Sequence, residues 1–203
     1  MNDPIRTISD EWLARHRDTH QRHPAFGTHR HPYLLDTIGG IAARLTGAEK
    51  PSLLDYGCGK GSFLDEMART GWFRVVRGYD PAVEAFAVRP RQSYDVVLCL
   101  DVLDQVEDAF VAAVIADVAR FAGRIALFDV ITVQTPALAH LQPRSAATWQ
   151  ELIGRGMRLV QSTVRVSSPE EIRAGACPER VVILAEPAMG GLAAGVAQGE
   201  VRR

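Results

Sequence analysis

The sequence predicts an α/β fold: a mostly parallel, doubly wound sheet of seven strands with helices on both faces and one antiparallel strand at its edge. Three stretches predict it. Residues 51–61, PSLLDYGCGKG, run a short apolar segment into Asp55 and then set Gly57, Gly59 and Gly61 at alternate positions before the helix-like SFLDEMART. A second apolar stretch, Val75 to Tyr79, ends in Asp80, one helix plus one strand beyond Gly61. Residues 94–101, YDVVLCLD, are apolar on both faces, as a strand inside a parallel sheet must be.

With 203 residues and 47% apolar content, the chain is long enough to bury a core as one domain. That domain is expected over residues 1–186, with an N-terminal helical extension over about 1–32 and a disordered tail over 187–203. The formal net charge of −1 lacks the basic excess of a nucleic-acid surface, so no nucleic-acid partner is expected. No run approaches the length of a membrane span, and MNDPIRTISDEW lacks the apolar core of a signal peptide, so no membrane partner is expected. Cys58, Cys99 and Cys177 are scattered and odd in number, which reads as free thiols in a reducing, cytoplasmic compartment.

Residues 1–31 are polar and hold His16, His20, His23, His29 and His31. Ser9 is placed to cap a helix running through about Asp18, with Asp10 and Glu11 in its first turn. His16 and His20 share a face at i, i+4, but no acid or cysteine has ligand spacing, and no metal site is predicted. The segment reads as a solvated helix and loop, with a flap over a ligand site as the functional alternative. Pro32 opens a second helix, with Leu34, Ile38, Ile41 and Leu45 on its apolar face.

Phe63, Leu64 and Met67 give the helix after the glycine turn its buried face, and Gly71 ends it. The short stretch 81–93 predicts an abbreviated helix and a minimal third strand near Phe86-Ala87-Val88. A helix from about Asp108 carries Phe110, Val114, Val118 and Phe121, and a strand follows from Ile125 to Val130. Ser145 caps a helix with Trp149, Leu152 and Ile153 inward. Leu159–Val166 and Val181–Ala185 form an antiparallel pair at the sheet edge.

The glycine turn carries the chemistry. Glycines let backbone approach a ligand where a Cβ would collide, and the following helix offers unpaired N–H groups. Ser62 stands where G-x-G-x-x-G needs its last glycine, and no phosphate-loop pattern is present. What remains is D-x-G-x-G-x-G, and here the chain resembles the class I S-adenosylmethionine (SAM)-dependent methyltransferases, with their Rossmann-like sheet. The segment VLDQVED adds to the likeness: it resembles the family's V-L-E-H-V, with Asp104 and Gln105 in place of Glu and His. The resemblance spans roughly residues 33–186.

It implies SAM as cofactor and S-adenosylhomocysteine (SAH) as product. The turn Asp55, Tyr56, Gly57, Cys58, Gly59 and Gly61 would bind the methionine portion, with Asp55 ordering its ammonium group. Asp80, followed by Pro81, would hold the ribose, and Asp101 and Val102 would border the cofactor. Arg89-Pro90-Arg91 stands where the family often has an adenine-side acid. The reaction implied is methyl transfer to an oxygen, nitrogen or carbon nucleophile of a small molecule or sugar. The absence of [DN]-P-P-[YF] and of Pro-Cys after residue 101 argues against adenine-amine and cytosine-C5 substrates.

Two alternatives stand beside this reading. One is a SAM-binding interaction protein without turnover, to which Gln105 and the missing adenine-side acid point. The other is a nicotinamide oxidoreductase, disfavoured by the glycine spacing. Gln105 cannot act as a base. His140, in the loop that leaves the 125–130 strand at the ligand edge, is the expected catalytic base, with an ordinary loop histidine as the alternative.

Overall fold

The computed structural model describes residues 5–28, 31–133, 144–174 and 176–188. Six strands, β1 (Ser52–Tyr56), β2 (Val75–Tyr79), β3 (Tyr94–Leu100), β4 (Ala122–Ile131), β5 (Met157–Val166) and β6 (Glu179–Pro187), form one sheet in the order β2-β1-β3-β4-β6-β5. β1 to β4 pair in parallel, and β6 is antiparallel to both β4 and β5.

The α/β, doubly wound architecture is therefore as expected, with two corrections. The antiparallel strand is not the outermost one: β6 is inserted beside β4, and β5 takes the edge. The seventh strand does not form among the described residues. Glu84–Phe86 is a 3₁₀ turn, closed by the Asp80 amide donating to the Phe86 carbonyl at 3.1 Å. The Phe86 ring then packs over Gly61 and Gly78, where a Cβ would come within 2.7 and 3.1 Å of it. The half-buried ring thus covers the glycine turn, and β2 is left as a sheet edge.

Alternation along the parallel strands builds two cores. Leu53, Val96, Leu98 and Leu127 face α2 (Leu35–Leu45) and α3 (Ser62–Thr70), meeting Ile38, Ile41, Phe63 and Met67. Leu54, Val97, Cys99 and Phe128 face α4 (Asp108–Phe121) and α5 (Ala146–Gly154), meeting Val114, Val118, Trp149 and Ile153. Each fully buried side chain of this size contributes about 1.5–3 kcal/mol. Arg89 is absorbed on this second face: it pairs with the buried Asp117, which also accepts from the Tyr56 hydroxyl at 2.9 Å.

A five-residue helix, α6 (Pro169–Arg173), closed by a capping box at Ser168, joins β5 to β6. The remaining helix, α1 (Asp10–Arg22), is capped as expected by the Ser9 hydroxyl, which accepts from the Trp12 amide at 3.1 Å. No helix among the described residues is long and apolar enough to cross a membrane.

Because β1, β2 and β3 run in parallel, their carboxyl ends share one edge of the sheet. Gly57, Asp80 and Asp101 each follow one of these strands, and a cavity opens between them.

Candidate active site

At Gly57, Gly59 and Gly61 φ is +79°, +53° and +80°, the left-handed region that side chains rarely adopt. The first two also need the space. A Cβ at Gly57 would lie 2.3 Å from the Val102 side chain, and one at Gly59 would lie 2.5 Å from the Gly27 carbonyl oxygen. The turn is tied to the end of β2 by the Gly57 and Cys58 amides, which donate to the Tyr79 carbonyl at 2.7 and 3.2 Å.

Asp80 braces the turn from below. Its carboxylate accepts from the Gly59 amide at 3.0 Å and from the Ala82 amide at 2.9 Å, which leaves lone pairs toward the cavity. Asp55, buried at the end of β1, is different. Burial first, with the nearby Asp80 charge adding and His31 opposing, pushes its carboxyl up to about 7. Asp101 takes φ +54°, the one non-glycine residue with positive φ among those described. Two hydrogen bonds hold it there: its amide donates to the Asp129 carbonyl at 2.9 Å, and the Gln105 side chain donates to its carbonyl at 2.8 Å. Gln105 thus fixes the backbone that aims Asp101.

Of the sequence-predicted positions, Asp55, Tyr56, Gly57, Cys58, Gly59, Asp80, Pro81, Asp101 and Val102 all line this one cavity. Tyr56 turns its hydroxyl to Asp117 in the core, and the buried Cys58 thiol is held well above its ordinary pKa by burial. Gly61 does not line the cavity; it caps the start of α3 under the Phe86 ring. His140 and His29 lie outside the described residues.

Sequence reasoning missed a buried ionic cluster at the same edge. His31, 5% exposed, borders the cavity beside Asp101. Its Nδ1 lies 3.5 Å from Asp129 Oδ2 and 3.1 Å from the Tyr33 hydroxyl, and its Nε2 lies 3.9 Å from Asp101 Oδ2. Arg180 donates to Asp101 at 3.1 Å, to the Tyr33 hydroxyl at 2.5 Å and to Asp129. The single Tyr33 hydroxyl proton is engaged with Asp129, so Nδ1 of His31 carries a proton and Nε2 faces Asp101 and the cavity. Burial lowers the His31 pKa, but the Asp129 hydrogen bond and the Asp101 and Asp129 charges outweigh it and raise the group above 6.5. Asp129 is correspondingly lowered: His31 and Arg180 overcome its burial.

The N-terminal segment is not merely a solvated helix and loop. The Trp12 indole donates to the Gln105 carbonyl at 2.8 Å, and the Ser9 amide donates to Glu107 at 3.0 Å. Lys60 in the glycine turn donates its ammonium to the His23 and Pro24 carbonyls, each at 2.9 Å, and its amide to the Gly27 carbonyl at 2.8 Å. The segment therefore lies across the cavity as a cover, and the alternation of polar residues in 1–31 hides this. The i, i+4 spacing of His16 and His20 was the one signal for it, since both rings line the cavity. Among the described residues no group of three or more His, Cys, Asp or Glu is placed to hold a metal ion.

A parallel sheet with one inserted antiparallel strand, and a cavity between a glycine turn and two strand-end acids, defines the class I SAM-dependent methyltransferase fold. The chain belongs to the methyltransferase domain family, whose family model matches residues 26–163. No curated protein sequence matched the chain.

Among solved structures, magnesium protoporphyrin IX methyltransferase from Synechocystis PCC 6803 with bound SAH superposes with a TM-score of 0.62 at 15% identity, over 87% of this chain and 100% of that one. The 1,6-didemethyltoxoflavin-N1-methyltransferase of Burkholderia thailandensis gives 0.61 at 15% identity, over 92% and 93%. The N-methyltransferase NodS from Bradyrhizobium japonicum WM9, in complex with SAH, gives 0.57 at 11% identity, over 88% and 100%.

Proposed function

We propose that the protein transfers the methyl group of SAM to an oxygen, nitrogen or carbon nucleophile of a small molecule or sugar, releasing SAH. The observation that carries this reading is the single cavity bounded by the glycine turn, Asp80 and Asp101. The residues fit the cofactor. Gly57 and Gly59 line the cavity with backbone alone, which suits the methionine portion. Asp55, poised near neutrality by burial, gains a partner in an ammonium group, and Asp80 offers its free lone pairs to ribose hydroxyls. The fold's relatives, crystallised with SAH, include enzymes named for small-molecule substrates, which supports the acceptor class.

SAM supplies an already activated sulfonium methyl, so the chain's task is alignment and exclusion of water. Orientation of that kind is worth about 7–11 kcal/mol in favourable cases. The N-terminal cover excludes water, and Val102, pressed against Gly57, sets the wall past which the acceptor approaches. An acceptor that arrives protonated needs a base. His31 fits that role: Asp129 fixes its tautomer and presents Nε2 to the cavity near Asp101. It is a histidine that Gln105 could not replace, and it favours turnover over a binding-only protein. The test is incubation of the protein with methyl-labelled SAM and a small-molecule extract. Label in a new low-mass product together with an equal amount of unlabelled SAH is the expected result, and label that stays on SAM in the presence of a folded, SAH-binding protein would overturn the reading.

A further inference from the structure

The half of the cavity above Asp80 is closed by α1 rather than by the sheet. His16 and His20, one helical turn apart, both line it. The His20 ring stands edge-on to Phe26 with centroids 4.7 Å apart, and it lies against Gly27, where a Cβ would come 2.5 Å from the ring. Gly27 in turn rests on Gly59, so the ring is held over the glycine turn. The His16 ring packs between Trp12 and Phe26, at 5.4 and 6.1 Å.

His20 Nδ1 is buried against Gly27 with no hydrogen-bond partner, so Nε2 is the ring nitrogen that a ligand in the cavity can meet.

Resting on the cofactor reading above, we propose that His16 and His20 form the upper half of a nucleoside-diol site, gripping the two vicinal ribose hydroxyls against Asp80 below. The chemistry is complementary. A carboxylate only accepts, so each hydroxyl directs its proton to Asp80 and keeps lone pairs for a donor above. Burial holds both rings below the ordinary histidine range, while Asp80 pulls the other way. Each is then a neutral imidazole near pH 7, with one N–H to give and no positive charge to set against the sulfonium. Phe26 and Trp12 keep the rings in place, and the Lys60 contacts to His23 and Pro24 fasten the cover to the turn that holds the rest of the cofactor.

The experiment is calorimetric titration of the full chain with SAH and with its 2′,3′-dideoxyribose analogue, for the wild type, His20→Phe and His16→Phe. Phenylalanine keeps the ring packing and removes the nitrogens. Each variant should bind SAH about 2- to 12-fold more weakly than the wild type, the range of one neutral hydrogen bond. The wild type should bind the dideoxy analogue weakly, and the variants should bind it no worse than the wild type does. Unchanged SAH affinity in both variants overturns the assignment, as does an equal loss for SAH and the analogue. If the wild type binds no SAH at all, the cofactor reading itself falls, a result distinct from either.

Discussion

His31 Nδ1 lies 3.5 Å from Asp129 Oδ2, and Asp129 has no exposed surface. The histidine comes from the segment before α2 and the acid from the middle of the sheet, yet the pair sits at the edge of the cavity where Asp101 emerges. A buried carboxylate holding one nitrogen of a ring directs the other nitrogen outward, and here outward is toward Asp101 at the cavity.

His31→Ala is expected to lower methyl transfer by about 10²–10⁴-fold, the range of a general base, with SAH affinity little changed. Steady-state rates alongside SAH titration separate the outcomes. A variant with normal turnover would remove the base role. A loss confined to SAH affinity would assign His31 to the cofactor's carboxylate instead.

Asp55 gives a pH prediction. Its carboxyl ionises at about 7 when folded, against an ordinary 3.8. Between those values the folded protein keeps a proton that the unfolded chain has lost, so this group lowers stability as pH rises from 3.8 to about 7. The difference in unfolding free energy between wild type and Asp55→Asn should therefore shift in favour of the variant across that window. Near pH 6 the wild type should release a proton on binding SAH, read from heats in buffers of different ionisation enthalpy, and Asp55→Asn should not. A pH-independent difference between the two proteins would contradict this.

Arg180→Met removes the only arginine that touches both Asp101 and Asp129 in the described structure. Breaking a buried ion pair from one side typically costs about 3–5 kcal/mol, because the remaining charge is stranded. Urea denaturation should show a loss of that order, larger than for Arg158→Met, whose pair with Glu186 is exposed. Equal losses at the two sites would show that the cluster does not stabilise the sheet edge.

The parts of this site that a reader of the sequence can find are the local ones. Glycines at 57, 59 and 61 announce a turn, and Asp55 and Asp80 stand at strand ends set by apolar runs beside them. His31, Tyr33, Asp129 and Arg180 were hidden because their meeting depends on strand order. Arg180 reaches Asp129 only because β6 inserts next to β4, and nothing in the apolar run 181–185 encodes that position. The missing third strand failed for the opposite reason. Phe86-Ala87-Val88 has local strand character, but Phe86 closes a 3₁₀ turn on Asp80 and lays its ring on the glycine turn, contacts that the local sequence does not show.

Asp80→Asn should weaken SAH binding by about 1.5–3 kcal/mol, the worth of a hydrogen bond to a charged group. The amide oxygen can still accept from Gly59 and keep that tie to the turn, while the bond from the Ala82 amide is lost. Circular dichroism should report an intact fold. Undiminished SAH affinity would remove Asp80 from the ribose site.

The measurement that bears most directly on the whole account is a titration of the full-length protein with SAH. The account predicts saturable binding to one site per chain and stabilisation of about 2.7 kcal/mol at a hundred times the dissociation constant. It also predicts loss of both in Gly59→Val, whose side chain would collide with the Gly27 backbone and push the N-terminal cover off the glycine turn. A well-folded wild-type protein that neither binds nor is stabilised by millimolar SAH would contradict it.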